Sequence, residues 1–138
     1  MKIAYNSSIG KVREKNEDAV GTFKNKQNVI LALISDGIGG NKAGEVASQL
    51  VVSNLGNSFE KTDFNSIEES QKWLDLKLSE VNDAILVESN SDTHLKGMGT
   101  TFVAALISGI DGFIANIGDS RGYLFSNNQL QQVSEDHS

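Results

Sequence analysis

The chain has 138 residues, of which 38% are hydrophobic and 22% charged, and its formal net charge is −6. This length and composition fit one globular domain with a buried core rather than a disordered chain. The negative charge argues against nucleic-acid binding, which requires a basic face to neutralise phosphates. The absence of cysteine excludes disulfides, thiolate metal sites and catalysis by a cysteine nucleophile.

The N-terminal region shows no targeting signal. Residues 1–18 contain no apolar run long enough for a signal peptide. No apolar run in the chain approaches the roughly 18 residues that a membrane-spanning helix requires. We therefore expect a cytoplasmic protein without membrane insertion.

Three strands are predicted in the first quarter of the chain. Residues 2–8 alternate apolar and polar side chains, and residues 18–24 form a second candidate. Residues 28–35 are a continuous apolar run, which is typical of a strand buried on both faces. The run stops at Asp36 and Gly37, so the aspartate is expected at the tip of a buried strand, where a carboxylate needs a partner.

Two helices are predicted to follow. The first has Asn41 as its N-cap, and its apolar residues recur with helical spacing until Gly56, which is a C-terminal stop signal. The second opens with a capping box formed by Ser66 and Glu69 and is expected to end near residues 89–90. Its predicted apolar face consists of Ile67, Leu74, Leu78, Val81 and Ile85.

The last third of the chain has the shorter period of strands. Residues 99–108, 112–118 and 121–126 are predicted strands, separated by turn sequences and followed by the short segment LQQV. Strands, two helices and strands again indicate an α+β fold with helices on one face of an antiparallel sheet. A sheet built from these strands alone would end in an unpaired edge strand. We therefore expect residues 1–138 to be the N-terminal part of a single larger domain.

Four polar clusters interrupt this pattern, and two of them place an aspartate at the edge of an apolar strand. The clusters are REKNED (13–18), SDGIGG (35–40), GMGTT (97–101) and IGDSRG (117–122). Asp36 and Asp119 could converge at one end of a sheet, where two carboxylates repel each other. Mg²⁺ or Mn²⁺ would relieve this repulsion, because both ions prefer oxygen ligands.

Each cluster also has an ordinary structural interpretation. An Asp-Gly pair is most often a tight turn, GMGTT fits a strand edge, Asp119 and Arg121 could form an ion pair, and REKNED fits a solvated loop. GIGG does not match a dinucleotide-binding glycine loop, because its third glycine comes too early. No serine and histidine have the spacing of a nucleophile and its base.

Taken together and in this order, the clusters resemble the metal-dependent Ser/Thr protein phosphatases of the PPM family (type 2C), most closely the small bacterial members that oppose membrane Ser/Thr kinases. The matching segments are GKVREKNEDAV (10–20), ALISDGIGGNKAGEVAS (32–48), GMGTT (97–101), NIGDSRGYL (116–124) and SEDHS (134–138). The resemblance covers the whole chain and about the first half of the family domain. It implies a four-layer αββα fold, in which helix pairs flank an antiparallel β-sandwich with a binuclear metal centre at one end.

The resemblance implies a role for each of five residues around that centre. Asp36 corresponds to the aspartate that bridges two metal ions, and Gly37 to the residue that supplies its backbone carbonyl to one of them. Glu17 and Asp18 match the acidic pair that holds metal-bound waters. Asp119 matches a ligand of a third, looser metal ion in bacterial members.

The resemblance also implies the reaction and the partners. Arg13 matches the arginine that grips the substrate phosphate with its guanidinium fork. The implied reaction is hydrolysis of phosphoserine and phosphothreonine on proteins, in which Mn²⁺ or Mg²⁺ ions align a water for attack, and Asp36 and Arg13 are the implied catalytic residues. The implied partners are phosphorylated proteins, including a cognate Ser/Thr kinase, and the complete protein is expected to be a monomer.

Two departures from the family pattern leave an alternative open. Ile38 stands where many eukaryotic members have a histidine that acts as general acid, and Asn41 stands where many bacterial members have a histidine. Further metal-ligand aspartates are expected beyond Ser138, so the 138-residue chain alone is expected to be inactive. The alternative function is a catalytically inactive regulatory module that binds a phosphorylated partner. A simple acidic interaction domain would leave Asp36 and Arg13 without a shared purpose.

Overall fold

The computed structural model describes residues 2–8, 10–11, 16–39 and 43–135. In chain order, its elements are β1 (Asp18–Lys24), β2 (Ile30–Ile38), α1 (Ala43–Glu60), α2 (Ile67–Ser91), a 3₁₀ turn (Thr93–Leu95), β3 (Gly99–Thr100), β4 (Phe102–Ser108), β5 (Asp111–Ile117), β6 (Tyr123–Ser126) and β7 (Gln129–Gln132). None of the helices in the described ranges combines the length and the apolar character that a membrane crossing requires.

The strands form a five-stranded antiparallel sheet and a separate hairpin. The sheet has the order β1-β2-β4-β5, and the short β3 pairs with the end of β2. β6 and β7 pair with each other through a two-residue turn. Its residues, Asn127 and Asn128, have φ values of 52° and 60°, as a type I′ hairpin turn requires. The predicted α+β class and the antiparallel pairing are confirmed.

Helices cover one face of the sheet, and the side chains of β2 show this directly. Leu31 and Leu33 are buried in one cluster with residues of α1 and α2, and we call this side the helix face. Ile34 belongs to the opposite side, the open face, and is 50% exposed. The prediction of a strand buried on both faces is therefore wrong, because an antiparallel sheet can leave one face uncovered.

Most of the predicted strands are confirmed. Residues 18–24 coincide with β1. The run 99–108 contains β3 and β4, which are separated at Thr101, and β5 and β6 fall within one or two residues of their predicted bounds. β4 shows the period of two most clearly, because Phe102, Ala104 and Leu106 are buried and alternate with less buried residues. The four residues of β6 are all exposed.

Residues 2–8 do not form the predicted strand. Ile3 and Tyr5, the apolar residues of the alternating pattern, instead line a groove over the open face together with Ile34. The alternation is too short to distinguish a segment that lies across a sheet face from one that hydrogen-bonds along a sheet edge.

α1 continues to Glu60 through Gly56, which is a stop signal in the sequence. A Cβ atom on Gly56 would lie 2.1 Å from the ring of Phe23 in β1. The glycine therefore allows helix and sheet to pack closely, and this contact overrides its low helix propensity. The predicted N-cap, Asn41, lies outside the described residues.

The predicted start of α2 is confirmed. Ser66 is the N-cap, with an extended backbone, and its Oγ accepts a hydrogen bond from the N–H of Glu69 at 3.2 Å. The predicted apolar face packs against the core, and Leu74 and Val81 are its buried members. The helix ends at Ser91, one residue later than predicted.

Candidate functional site

Asp18 of β1 and Asp36 of β2 are opposite each other at one end of the sheet. Directly opposed residues of an antiparallel pair project from the same face, with Cβ atoms about 5 Å apart. Asp18 is two residues from Val20 in β1, and Asp36 is two residues from Ile34 in β2, so each aspartate projects from the same face as that neighbour. Val20 and Ile34 line the groove of the open face. Like charges in this position repel each other. A divalent cation bound to both carboxylates would remove that repulsion.

Asp36 is not at a strand tip, which corrects the prediction. β2 continues through Gly37 to Ile38, and these two residues pair with Thr100 and Gly99 of β3. The short β3 extends the sheet beyond Asp36. The carboxylate can therefore occupy a strand interior because it belongs to the uncovered face and not because the strand has ended.

Gly37 belongs to the helix face, where it lets β2 approach the first turn of α1. A Cβ atom at this position would lie 1.8 Å from the carbonyl oxygen of Gly44 and 2.8 Å from that of Glu17. The N–H of Gly37 donates to the Glu17 carbonyl at 3.0 Å. Close packing against α1 explains this glycine, whereas an Asp-Gly pair is by itself more typical of a turn.

The carboxylate of Glu17 lies against the N-terminal turn of α1. Its Cδ and Oε2 atoms are each 2.8 Å from the position that a Cβ atom on Gly44, the second residue of the helix, would take. The free N–H groups at a helix N-terminus favour a nearby negative charge. Because Glu17 precedes Asp18, it brings a third carboxylate to the same end of the sheet.

A network of hydroxyl groups surrounds the main chain of Asp36. Thr101 Oγ1 accepts a hydrogen bond from the N–H of Asp36 at 3.1 Å, and the N–H of Thr101 donates to the Asp36 carbonyl at 2.9 Å. Ser35 Oγ donates to the Thr101 carbonyl at 2.9 Å. Thr101 Oγ1 also lies 2.8 Å from Ser120 Oγ. Ser35 and Thr101 are buried, so these bonds fix the backbone on which Asp36 is carried.

Asp119 is exposed and follows β5. Its neighbour Ser120 makes the contact with Thr101, and Gly118 on its other side has a φ of 104°, which glycine adopts readily. The structure thus places the Asp119 segment against Thr101, and through Thr101 it is linked to the backbone of Asp36.

These residues fit a hard divalent cation in kind but do not complete a coordination shell. Asp18 and Asp36 present carboxylate oxygens on one face, and Mg²⁺ and Mn²⁺ prefer such ligands. Within the described ranges, no three Asp, Glu, His or Cys side chains form a group that could hold a metal ion, so neither Glu17 nor Asp119 joins the pair as a third ligand. The predicted phosphate-binding residue, Arg13, lies outside the described residues.

Three residues of this region have no role predicted from the sequence. Ser35 carried a usable signal, because a serine inside an apolar strand usually has a specific hydrogen-bond partner. Thr101 stood out only as part of GMGTT. Gly44 gave no signal, because its contact with Gly37 depends on how α1 packs on the sheet.

Residues 8–138 match the family model described as Protein phosphatase 2C. The chain is 43% identical over 139 residues to the serine/threonine phosphatase stp of Listeria welshimeri, a match that covers all of this chain and 55% of that protein. The crystal structure of the serine/threonine phosphatase Stp1 from Staphylococcus aureus is similar, with a TM-score of 0.87 and 40% identity over 94% of this chain and 51% of that one.

A third comparison concerns a structure with bound metal. The catalytic domain of the serine threonine protein phosphatase PstP, in complex with 2 manganese ions, matches with a TM-score of 0.78 and 37% identity over 92% of this chain and 52% of that one. The chain therefore spans about half the length of the relatives it matches. The family match extends over almost the whole chain, and the chain belongs to the protein phosphatase 2C family, as the resemblance predicts.

Proposed function

We propose that the protein carrying this chain is a metal-dependent phosphatase that hydrolyses phosphoserine and phosphothreonine on proteins. The observation that carries the proposal is the opposed pair of carboxylates, Asp18 and Asp36, on the open face of the sheet. Membership of the protein phosphatase 2C family supports it, as does the name of the Listeria welshimeri relative, a serine/threonine phosphatase.

The proposed cofactor is a pair of Mn²⁺ or Mg²⁺ ions, and the 2 manganese ions bound to the PstP catalytic domain support this choice. Asp36 would bridge the two ions, with help from Asp18 and the carbonyl of Gly37. Asp119 would hold a third ion. When bound, such ions supply neutralisation of the phosphate charge and an activated water.

The other residues of the site have separate proposed tasks. Arg13 would bind two phosphate oxygens through parallel N–H donors, which orients the phosphoryl group. Glu17, held against the start of α1, would bind water molecules of the site. Ile38 has no proton to donate, so the leaving serine or threonine oxygen would take its proton from another donor.

The wider assignment follows from the same proposal. Residues 1–138 would form the N-terminal part of one phosphatase domain, and the protein would act as a cytoplasmic monomer. Its substrates would be phosphorylated proteins, among them a cognate Ser/Thr kinase, without nucleic acid or membrane insertion. Neither the family match nor the name of the Listeria welshimeri relative favours the alternative of a regulatory module without turnover.

The substitution Asp36→Asn in the intact protein tests the proposal. We expect Mn²⁺-dependent hydrolysis of a phosphothreonine peptide to fall more than about a hundredfold, because the bridging charge is lost. Asp111→Asn is the matched control, since Asp111 is an exposed aspartate at the far end of β5. Activity of Asp36→Asn within a few fold of wild type would reject the bridging role. A wild-type protein that binds the phosphopeptide without hydrolysing it would support the regulatory module instead.

A further inference from the structure

Thr101 holds both polar main-chain groups of Asp36, and it does so in an unusual way. In a regular antiparallel ladder, opposed residues exchange two N–H···O=C bonds. Here the N–H of Thr101 donates to the Asp36 carbonyl at 2.9 Å, but the N–H of Asp36 donates to the hydroxyl of Thr101 at 3.1 Å. A side-chain oxygen has replaced a main-chain oxygen at the residue that carries the proposed bridging carboxylate.

The Thr101 carbonyl, which a regular ladder would pair with the N–H of Asp36, has other hydrogen-bond donors. The Thr101 carbonyl accepts hydrogen bonds from Ser35 Oγ at 2.9 Å and from Thr100 Oγ1 at 3.0 Å. Ser35 is fully buried and Thr101 is 5% exposed. Buried polar groups that are all paired form a fixed arrangement, so the position of the Asp36 backbone depends directly on the Thr101 side chain.

Thr101 also contacts the residues on both sides of Asp119. Its hydroxyl oxygen lies 2.8 Å from Ser120 Oγ. Its Cγ2 atom lies 2.7 Å from where a Cβ atom on Gly118 would be, so the methyl group packs directly on that glycine. One side chain therefore touches the two segments that carry Asp36 and Asp119.

We propose that Thr101 is a positioning residue of the metal site, which sets Asp36 and the Asp119 segment relative to each other. This inference rests on the proposed function. The Thr101 hydroxyl can accept the N–H of Asp36 and at the same time give its own proton to Ser120. The two contacts thus do not compete, and loss of the hydroxyl releases both segments together.

The test compares Thr101→Val, Thr101→Ser and Ser120→Ala in the intact protein. Mn²⁺ affinity is measured by calorimetry, and phosphopeptide hydrolysis is followed against Mn²⁺ concentration. Thr101→Val keeps the side-chain shape and loses the hydroxyl, so we expect Mn²⁺ affinity to fall by about tenfold or more. Thr101→Ser keeps the hydroxyl and should stay within about threefold of wild type. Ser120→Ala, which breaks one of the two contacts, should lie between them.

Ser70→Ala is the matched control for general loss of stability. Ser70 is also a fully buried hydroxyl, but it lies in α2 and donates to the Ser66 carbonyl at 2.8 Å. Urea unfolding should show it to be destabilised, with unchanged Mn²⁺ affinity. A purely structural role of Thr101 would make Thr101→Val behave in the same way, and that result would overturn the inference.

Three further outcomes are also informative. The inference is also overturned if Thr101→Ser loses Mn²⁺ affinity while Thr101→Val keeps that of the wild type, because the methyl contact with Gly118 would then matter and the hydroxyl would not. If Thr101→Val does not fold, Ser120→Ala decides, and wild-type Mn²⁺ affinity in that variant counts against the inference. A wild-type protein that binds Mn²⁺ but has no phosphatase activity rejects the proposed function, while the affinity comparison still tests Thr101.

Discussion

The helix face and the open face of the sheet differ in the side chains that the same strand, β2, presents to each. In β2 the odd-numbered residues pack against the helices, where Leu31 and Leu33 are buried and Gly37 admits no side chain. The even-numbered residues belong to the open face, which carries Ile34 and Asp36. The alternation of side chains along β2 thus places the residues that stabilise the core on one face and the proposed metal ligand Asp36 on the other. Substitutions on the helix face should cause the larger changes in the free energy of unfolding, and substitution of the open-face carboxylates should change ion binding.

The largest effect is expected for Gly37→Ala on the helix face. Its Cβ atom would collide with the backbone carbonyl of Gly44 at 1.8 Å, and a main-chain atom cannot move away as a flexible side chain can. We expect a loss of about 4 kcal/mol or more in the free energy of unfolding, measured by urea denaturation.

Gly99→Ala is the control for this substitution. Gly99 pairs with Ile38 at the same end of the sheet, and a Cβ atom added to it would meet none of the described neighbouring atoms within 4 Å. The control variant should therefore unfold at nearly the same urea concentration as the wild type. Equal losses in the two variants would contradict the packing explanation.

A second comparison uses two apolar residues of β2. Leu31 is fully buried and Ile34 is 50% exposed, so truncation to alanine should affect them unequally. We expect Leu31→Ala to lose about 2–5 kcal/mol, through lost burial and the cavity left behind. Ile34→Ala should lose less than about 1.5 kcal/mol. Similar losses from urea denaturation of both variants would show that the open face is covered in solution.

The smallest effect is expected for Asp18→Asn in the absence of divalent metal. This substitution removes one of two like charges that are directly opposed across β1 and β2. We expect the protein to become more stable by about 0.2–1 kcal/mol at low ionic strength. The gain should shrink in about 1 M NaCl, where charges are screened within a few ångströms. A loss of stability at low salt would mean that the Asp18 carboxylate makes a favourable contact within the protein.

Much of this fold could be predicted from local sequence patterns. β1 coincides with its predicted range, and Ser66 caps α2 as expected, because alternation and capping depend on residues close in sequence. Gly56 and residues 2–8 were predicted incorrectly, because their conformation depends on distant partners. Phe23 of β1 lies against Gly56, and the open sheet face lies beside the N-terminal segment.

The site shows the same division. Asp18 and Asp36 were each identified from the sequence, but their opposition is a property of the β1–β2 register, which no single motif contains. Thr101 links Asp36 to Ser120, although Thr101 is 65 positions from Asp36 and 19 positions from Ser120 in the sequence. Such contacts follow from how strands associate, so local patterns could name the polar clusters and could not show which groups touch.

A Mn²⁺ titration of the intact protein by calorimetry tests whether the opposed carboxylates of the open face form the metal site. We predict that Asp18→Asn and Asp36→Asn each weaken Mn²⁺ binding by at least about tenfold, while Asp111→Asn, at the other end of the sheet, binds as the wild type does. Wild-type Mn²⁺ affinity in a protein that carries both Asp18→Asn and Asp36→Asn would show that the metal ions bind elsewhere.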